Sequence, residues 1–359
     1  MTKRRQFVQG IAALSGFSLA SCGWQLGNIN SARISGSSDL YIYTWTQYVD
    51  QELVKAFTAE SGLKVVVDVY DSNEVMLAKL LAGGGGAYSL IYPSDYMVQK
   101  MEEQGLLIAL NHDRLNGLDQ LFPQFQNPSY DPNNRHSIPF NWGTTGLIYN
   151  SEILKDAPED WDYLWQNQDI LNKRMTLLND VREVMGATLR MLGYSYNSKD
   201  KNQIKAAYEK LVELKPAIAS FDTDAWQNQM LAGDLTLAMC YSVDAINVIR
   251  ENPKLKYVIP SSGSSLWTDT IVIPKSAPHI DEAYAWINFM LQPEVAATIS
   301  ERMNIATPNS AGFEKLPNEI KNNQNLFPPA AVLEKCERIT PLGDIEDIYE
   351  RYWTRLTSN

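Results

Sequence analysis

Residues 39–70 read "DLYIYTWTQYVDQELVKAFTAESGLKVVVDVY". Three segments follow one another there. "DLYIYTW" is a short apolar run rich in aromatic and β-branched residues, the signature of a strand. "VDQELVKAFTAESG" places Leu53, Phe57 and Leu63 near helical spacing and ends at Gly62, as an amphipathic helix does. "LKVVVDVY" returns to strand character. The alternation then repeats. "SNEVMLAKLLAGG" is a helix capped by Ser72, "YSLIYPS" a strand and "DYMVQKMEEQGL" a helix. Strands alternating with helices predict a mostly parallel α/β sheet. Ligands of such sheets bind at the carboxyl ends of the strands. "WTQY", "YDSNE" and "PSDYM" all fall there.

A second alternating region begins near "GTTGLIYNSEIL" and includes "RMTLLNDVREVMGATLRMLG", "LTLAMCYSVDAINVI" and "LKYVIPSSGSSLWTDTIVIP". "HIDEAYAWINFMLQPEVAATIS" predicts two helices broken at Pro293, and "DIEDIYERYWTRL" the last helix. The 359 residues suffice for two ordinary domains, and a composition of 45% hydrophobic and 20% charged residues is that of a globular chain. The net charge of −11 argues against nucleic acid, which needs clustered Lys and Arg.

The amino terminus is a separate case. Lys3, Arg4 and Arg5 precede the apolar run "IAALSGFSLA", followed by "SC": a charged region, an apolar region and a small-residue cleavage site, hence a secretory signal over residues 1–21. The arginine pair resembles a twin-arginine signal. Leu19-Ala20-Ser21-Cys22 resembles a lipoprotein box, in which Cys22 is lipidated; the competing reading is a secreted protein without lipid. Residues 22–38, rich in Gly and Ser, read as a tether. Cys240 and Cys336 could pair in an oxidising exterior, or could be two small buried hydrophobes.

Familiar catalytic patterns are weak here. Gly83–Gly86 lacks the Lys-Ser/Thr of a phosphate loop. Ser198 and Lys201 sit in a polar run, and His112, His136 and His279 are scattered, without metal-ligand spacing. Pairs of aromatics and acids at element ends stand out instead: Trp45 with Tyr48, Ser94 and Asp95 with Tyr96, Asp180 with Glu183, Tyr241 with Asp244, and Trp267 with Asp269. Residues two apart on a strand face one side, so Trp267 and Asp269 would share a space. Aromatic faces attract ammonium groups and carboxylates hydrogen-bond them. The set suits an alkyl polyamine. Aromatic platforms with paired acids also describe a glycosidase cleft, so a carbohydrate-active enzyme is a competing reading, as is a receptor for another cation or an amino acid.

"YTWTQYV", "YDSNEVMLAKL", "YPSDYMVQKM", "DVREVMGATLRMLGY", "LWTDTIVIP", "AWINFMLQPEVA" and "ATPN" resemble, in order and spacing, the periplasmic spermidine/putrescine-binding proteins of polyamine ABC transporters. The likeness runs from about Asp39 to the C-terminus. It implies a two-lobe class II periplasmic binding protein fold with the ligand cleft between lobes. Lobe 1 would comprise 39–143 and 270–310, and lobe 2 144–269 and 311–359, with crossings near Gly143–Thr145 and Asp269–Ile273 and a third passage around Thr307–Ser310. The resemblance implies a monomer without catalysis or cofactor, located in the periplasm, delivering ligand to a permease. Its binding residues carry over at Trp45, Thr46, Tyr48, Ser94, Tyr96, Asp180, Glu183, Trp267 and Asp269. Tyr241 stands where the family often has Trp, and Asp244 matches an acid of putrescine-preferring members. Gln47 stands where many members have an acid. The amide of spermidine-binding members falls on Arg338 or Ile339, and an Arg pointing into the site would repel a polyamine.

Overall fold

The computed structural model describes residues 39–46, 48–70 and 72–358. The signal, the tether, Cys22 and Gln47 therefore lie outside the described residues. The sheet order is β2-β1-β3-β9-β4-β7-β5-β6, with β8 also on β4. Strand β1 (Leu40–Trp45) lies parallel to β2 (Val65–Tyr70) and β3 (Leu90–Ile91). Helices α1 (Gln51–Ser61), α2 (Asn73–Leu81) and α3 (Asp95–Glu103) follow these strands in turn. Local chemistry sets their ends. Asp50 accepts from the Leu53 amide at 2.8 Å, and Gly62, at φ 74°, closes α1 where an L side chain would be strained. Ser72 accepts from the Val75 amide at 3.2 Å and opens α2.

Strand β4 (Ser137–Asn150) is the long member. Along its first half it pairs antiparallel with β9 (Leu266–Val272), from Ser137 opposite Val272 to Thr144 opposite Leu266. From Thr145 onward it pairs with β7 (Leu237–Tyr241), and from Leu147 with β8 (Leu255–Val258). Strand β5 (Met175–Leu177) continues through β6 (Ile218–Phe221), both parallel. The β2-β1-β3-β9 side packs Leu40, Ile42 and Phe57 with Trp286 and Ile287 of the helix Ile280–Leu291. The other side buries Leu177 with Val184 and Leu189 of α4 (Val181–Met191) and Ile204 and Leu211 of α5 (Lys201–Leu214). Helix Ser242–Glu251 follows β7. Among the described residues no helix is long and apolar enough to cross a membrane.

The packing changes sides later than the expected passage at Thr307–Ser310. Phe313 still stacks edge-on against Phe122 at 5.5 Å and Phe327 at 4.9 Å, and Phe327 faces Trp142 at 6.1 Å. These aromatics hold 311–327 on the first side. The chain reaches the second side where Lys335 accepts from Arg190 at 3.1 Å and Glu337 pairs with Ser265 at the start of β9. Cys240 is buried and Cys336 half-buried, and both are free thiols.

Gly143 marks the close approach on which this pairing depends. A Cβ there would come within 2.5 Å of Ser242 Oγ and 2.6 Å of the Trp267 ring. Gly143→Ala is expected to lower unfolding stability by about 1–3 kcal/mol, as overpacking in a dry site does. Urea unfolding measures it; an unchanged midpoint would mean that the Trp267 ring moves aside freely.

Candidate functional site

Strand β9 delivers two groups to one side. Trp267 and Asp269 are two apart, 9% and 5% exposed, and Thr268 between them faces the other way. Asp269 is held by hydroxyls. Tyr48 donates to Oδ2, and Ser94 donates to Oδ1 at 2.7 Å. Asn73, in the first turn of α2, donates to the Ser94 hydroxyl at 3.0 Å. Burial lifts the Asp269 carboxyl to about 7, against the pull of both hydroxyls.

Glu183 is 2% exposed. Ser265 Oγ lies 2.8 and 2.7 Å from its two carboxylate oxygens. Burial first, and the charge of Asp180 second, raise the Glu183 carboxyl to about 8. Asp180 is the N-cap of α4, and its Oδ1 accepts from the amides of Arg182 and Glu183 at 2.9 and 3.0 Å. Its Oδ2 is left to a long 3.4 Å bond from the Tyr241 hydroxyl. The Tyr241 ring meets Trp267 edge-on, centroids 5.9 Å apart at 83°. Tyr96 donates to Glu74 Oε1 at 3.0 Å. Trp45, half-buried, packs on Tyr70 at 4.8 Å, and Thr46 is exposed.

Asp244, half-buried, is lifted to about 7 by burial and then by Asp224, and its charge reaches the Tyr48 hydroxyl. It makes no hydrogen bond to the other acids. The structure thus brings Tyr48, Ser94 and Asp269 into one hydroxyl-carboxylate cluster, and Asp180, Glu183, Tyr241 and Trp267 into a second. Tyr96 and Glu74 are joined by their own hydrogen bond, and Asp180 is the other carboxylate whose charge acts on both. Sequence reasoning missed Asn73, Ser265 and Glu74. The first and last lie in "YDSNE", already singled out as a strand end; Ser265 lay two residues before Trp267 without a signal of its own.

Arg338 does not enter this space. Its Nη1 donates to Asp95 Oδ2 and to Thr268 Oγ1, each at 2.7 Å. Thr268 is on the face of β9 opposite Trp267 and Asp269, so the guanidinium sits behind the strand. Asp95 is 1% exposed; burial raises its carboxyl, and Arg338 draws it back down. Ile339 is core, 7% exposed. Neither position offers an amide. His112 and His136 turn ring nitrogens to the Asn134 and Ile108 carbonyls, at 3.0 and 2.9 Å. Among the described residues, none of Glu74, Asp180, Glu183 and Asp269 has a Lys or Arg within 4 Å. The site is a set of partly dry carboxylates between rings, without its countercharge.

Residues 52–328 match the family described as bacterial extracellular solute-binding protein. The spermidine/putrescine-binding periplasmic protein of Salmonella typhimurium is 36% identical over 94% of this chain and 97% of its own length. The spermidine/putrescine-binding periplasmic protein of Escherichia coli K12 is 35% identical over the same shares. The solved structure of a putative spermidine/putrescine ABC transporter from Listeria monocytogenes superposes with a TM-score of 0.84, at 38% identity, over 89% of this chain and 99% of that one. A carboxylate-and-ring site carried by β9, and likeness over nearly the whole length of both chains, converge on one assignment: this chain belongs to the bacterial extracellular solute-binding proteins.

Proposed function

We propose that the protein captures a polyamine, spermidine or putrescine, outside the cytoplasm and hands it to the permease of an ABC transporter. One observation carries the reading: Glu183 and Asp269 are buried beside Trp267 and Tyr241 without an ion pair, the buried Arg182 near Glu183 being turned to the Thr340 carbonyl and Asn197. Burying an ionised carboxylate without a partner is costly, and a ligand ammonium is the countercharge that relieves the cost. The relatives named for spermidine and putrescine support the choice of cation. An amino-acid ligand is disfavoured, because the Arg that would take its carboxylate is already engaged by Asp95.

In this reading Trp45, Tyr48, Tyr96, Tyr241 and Trp267 line the alkyl chain. Glu183 and Asp269 take nitrogen, and Asp180 marks one end. Thr46, Ser94 and Gln47 supply neutral contacts, with Asp244 a further acid near Tyr48. Lobe 1 comprises 39–143, 270–310 and, from the aromatic packing, 311–327. Lobe 2 comprises 144–269 and the chain from about 335. The chain acts as a monomer, without cofactor and without catalysis. The periplasmic location extends to a lipid anchor on Cys22.

A thermal-shift panel of putrescine, spermidine, basic amino acids and oligosaccharides tests the ligand class. At 100 times its dissociation constant the right ligand stabilises by about 2.7 kcal/mol. Only the polyamines are expected to shift the midpoint, and Trp267→Ala should weaken their binding by about 2 kcal/mol; full affinity in that variant would reduce Trp267 to a core residue.

Binding should also move protons. Glu183 at about 8 and Asp269 at about 7 are largely and half protonated at pH 7. A bound ammonium requires them ionised. Calorimetry at pH 7 in buffers of different ionisation enthalpy should report release of between one and two protons per ligand, falling towards none at pH 9. Because these folded-state values lie above ordinary carboxylate values, the free protein should lose stability as pH rises from about 4 to 8. Identical heats in all buffers would mean that both acids are ionised beforehand.

The anchor has its own test. Cys22→Ser should move the protein from the membrane fraction to a soluble or unprocessed form; a wild type already wholly soluble would refute lipidation.

A further inference from the structure

Ser94 stands at the N-cap of α3, where a serine hydroxyl ordinarily accepts from an amide of the first turn. Here it makes no such bond. The Tyr96 amide donates to Asp95 Oδ1 at 2.9 Å instead, and the Ser94 hydroxyl is turned to Asp269 Oδ1 at 2.7 Å. The side chain that goes with this turn is Asn73, the first residue of α2, 4% exposed. It grips Ser94 at two points. Asn73 Oδ1 lies 3.2 Å from the Ser94 amide nitrogen, and Nδ2 lies 3.0 Å from Ser94 Oγ. These bonds can run in one direction only. A backbone N–H donates and cannot accept, so the Asn73 atom beside it is the carbonyl oxygen. The other atom is then the NH2 group, which donates and cannot accept. Ser94 Oγ must therefore accept from Asn73, and its single proton is left for Asp269.

We propose that Asn73 is a positioning residue of the binding site: its amide holds the Ser94 hydroxyl away from the α3 cap and commits the hydroxyl proton to Asp269, which fixes that carboxylate to accept from a ligand ammonium. Ser94 then serves the ligand through the acid, with its proton already spent. The main chain sets the polarity of the whole series, since the Ser94 amide orients Asn73, Asn73 orients the Ser94 hydroxyl, and the hydroxyl steadies Asp269. The identity of the ligand rests on the polyamine reading, and one arm of the test needs no ligand.

In the first arm the carboxyl carbon resonance of Asp269 is followed against pH in the free protein, for wild type, Asn73→Ala, Ser94→Ala and the double variant. The other titratable groups that face Asp269 are the phenols of Tyr48, Tyr70, Tyr130 and Tyr241, which burial keeps neutral, and Asp95, tied to Arg338. A hydroxyl that donates to a carboxylate favours its ionised form. Asn73→Ala and Ser94→Ala should therefore each raise the Asp269 midpoint, and the double variant should raise it no further than Ser94→Ala alone. In the second arm putrescine and spermidine are titrated calorimetrically into the same proteins. Each single variant should weaken both ligands roughly three- to thirtyfold, the span of one hydrogen bond, and Asn73→Ala should add nothing once Ser94 is alanine. Asn73→Ser, which keeps a polar group at the head of α2 but is too short to grip both atoms of Ser94, is carried beside Asn73→Ala and should behave likewise. An Asp269 midpoint unmoved by the Asn73 variants would overturn the proposal. So would a loss of affinity that persists in full in the Ser94→Ala background, which marks a structural role of Asn73 in α2. A wild type that binds neither polyamine would bring down the polyamine reading, while the Asp269 titration would still decide whether Asn73 directs the hydroxyl.

Discussion

The carboxylates of Glu183 and Asp269 are buried and form no ion pair with a lysine or arginine; the buried Arg182, whose charge reaches Glu183, turns its guanidinium to the Thr340 carbonyl and Asn197. An isolated buried carboxylate is unstable in its charged form, and the fold answers with hydroxyls: Ser265 on Glu183, Tyr48 and Ser94 on Asp269. Each hydroxyl orients an acid without neutralising it. A lysine in the same place would make a stronger contact and leave nothing for a ligand to do. The rest of the site follows from this restraint. Nearby cations are engaged elsewhere: Arg338 is bound behind β9 by Asp95, Lys100 is drawn to Glu346, and Arg182 donates to the Thr340 carbonyl and Asn197.

One strand pair supplies the geometry. Strand β4 exchanges β9 for β7 as partners at Thr144 and Thr145, so the residues flanking that change belong to both sides of the sheet. Trp267 stands opposite Gly143, the only residue type without a Cβ to strike its ring. The alternation of β9 then sorts chemistry by face. Trp267 and Asp269 look one way, and Thr268, with Arg338 upon it, looks the other. A one-residue slip in this register would bring the guanidinium to the ligand side.

Much of this was readable in the chain, and the limits are physical. The helix start at Ser72 is local, since a cap and its amide lie three residues apart; Asp50 and Asp180 cap their helices in the same way. The facing of Trp267 and Asp269 follows from the period of a strand. Contacts between distant segments are different. Tyr48 meets Asp269 across 221 positions and Arg338 meets Asp95 across 243; no spacing encodes either. Arg338 therefore read as a threat to a polyamine, because the acid that claims it could not be seen. The late return of the chain was hidden for the same reason. Phe313 and Phe327 look like ordinary apolar residues until Phe122 and Trp142 are placed beside them.

Glu183 and Asp269 answer to one physical constraint. Here burial pushes Glu183 and Asp269 the same way, to about 8 and about 7. Both acids are raised together, and each is steadied by neutral hydroxyls. They are equally short of positive charge. A polycation answers both at once, and the reach of its alkyl chain makes that answer selective: a chain whose ammonium groups miss either acid leaves one carboxylate dry and unpaired, which costs more than the missing contact alone.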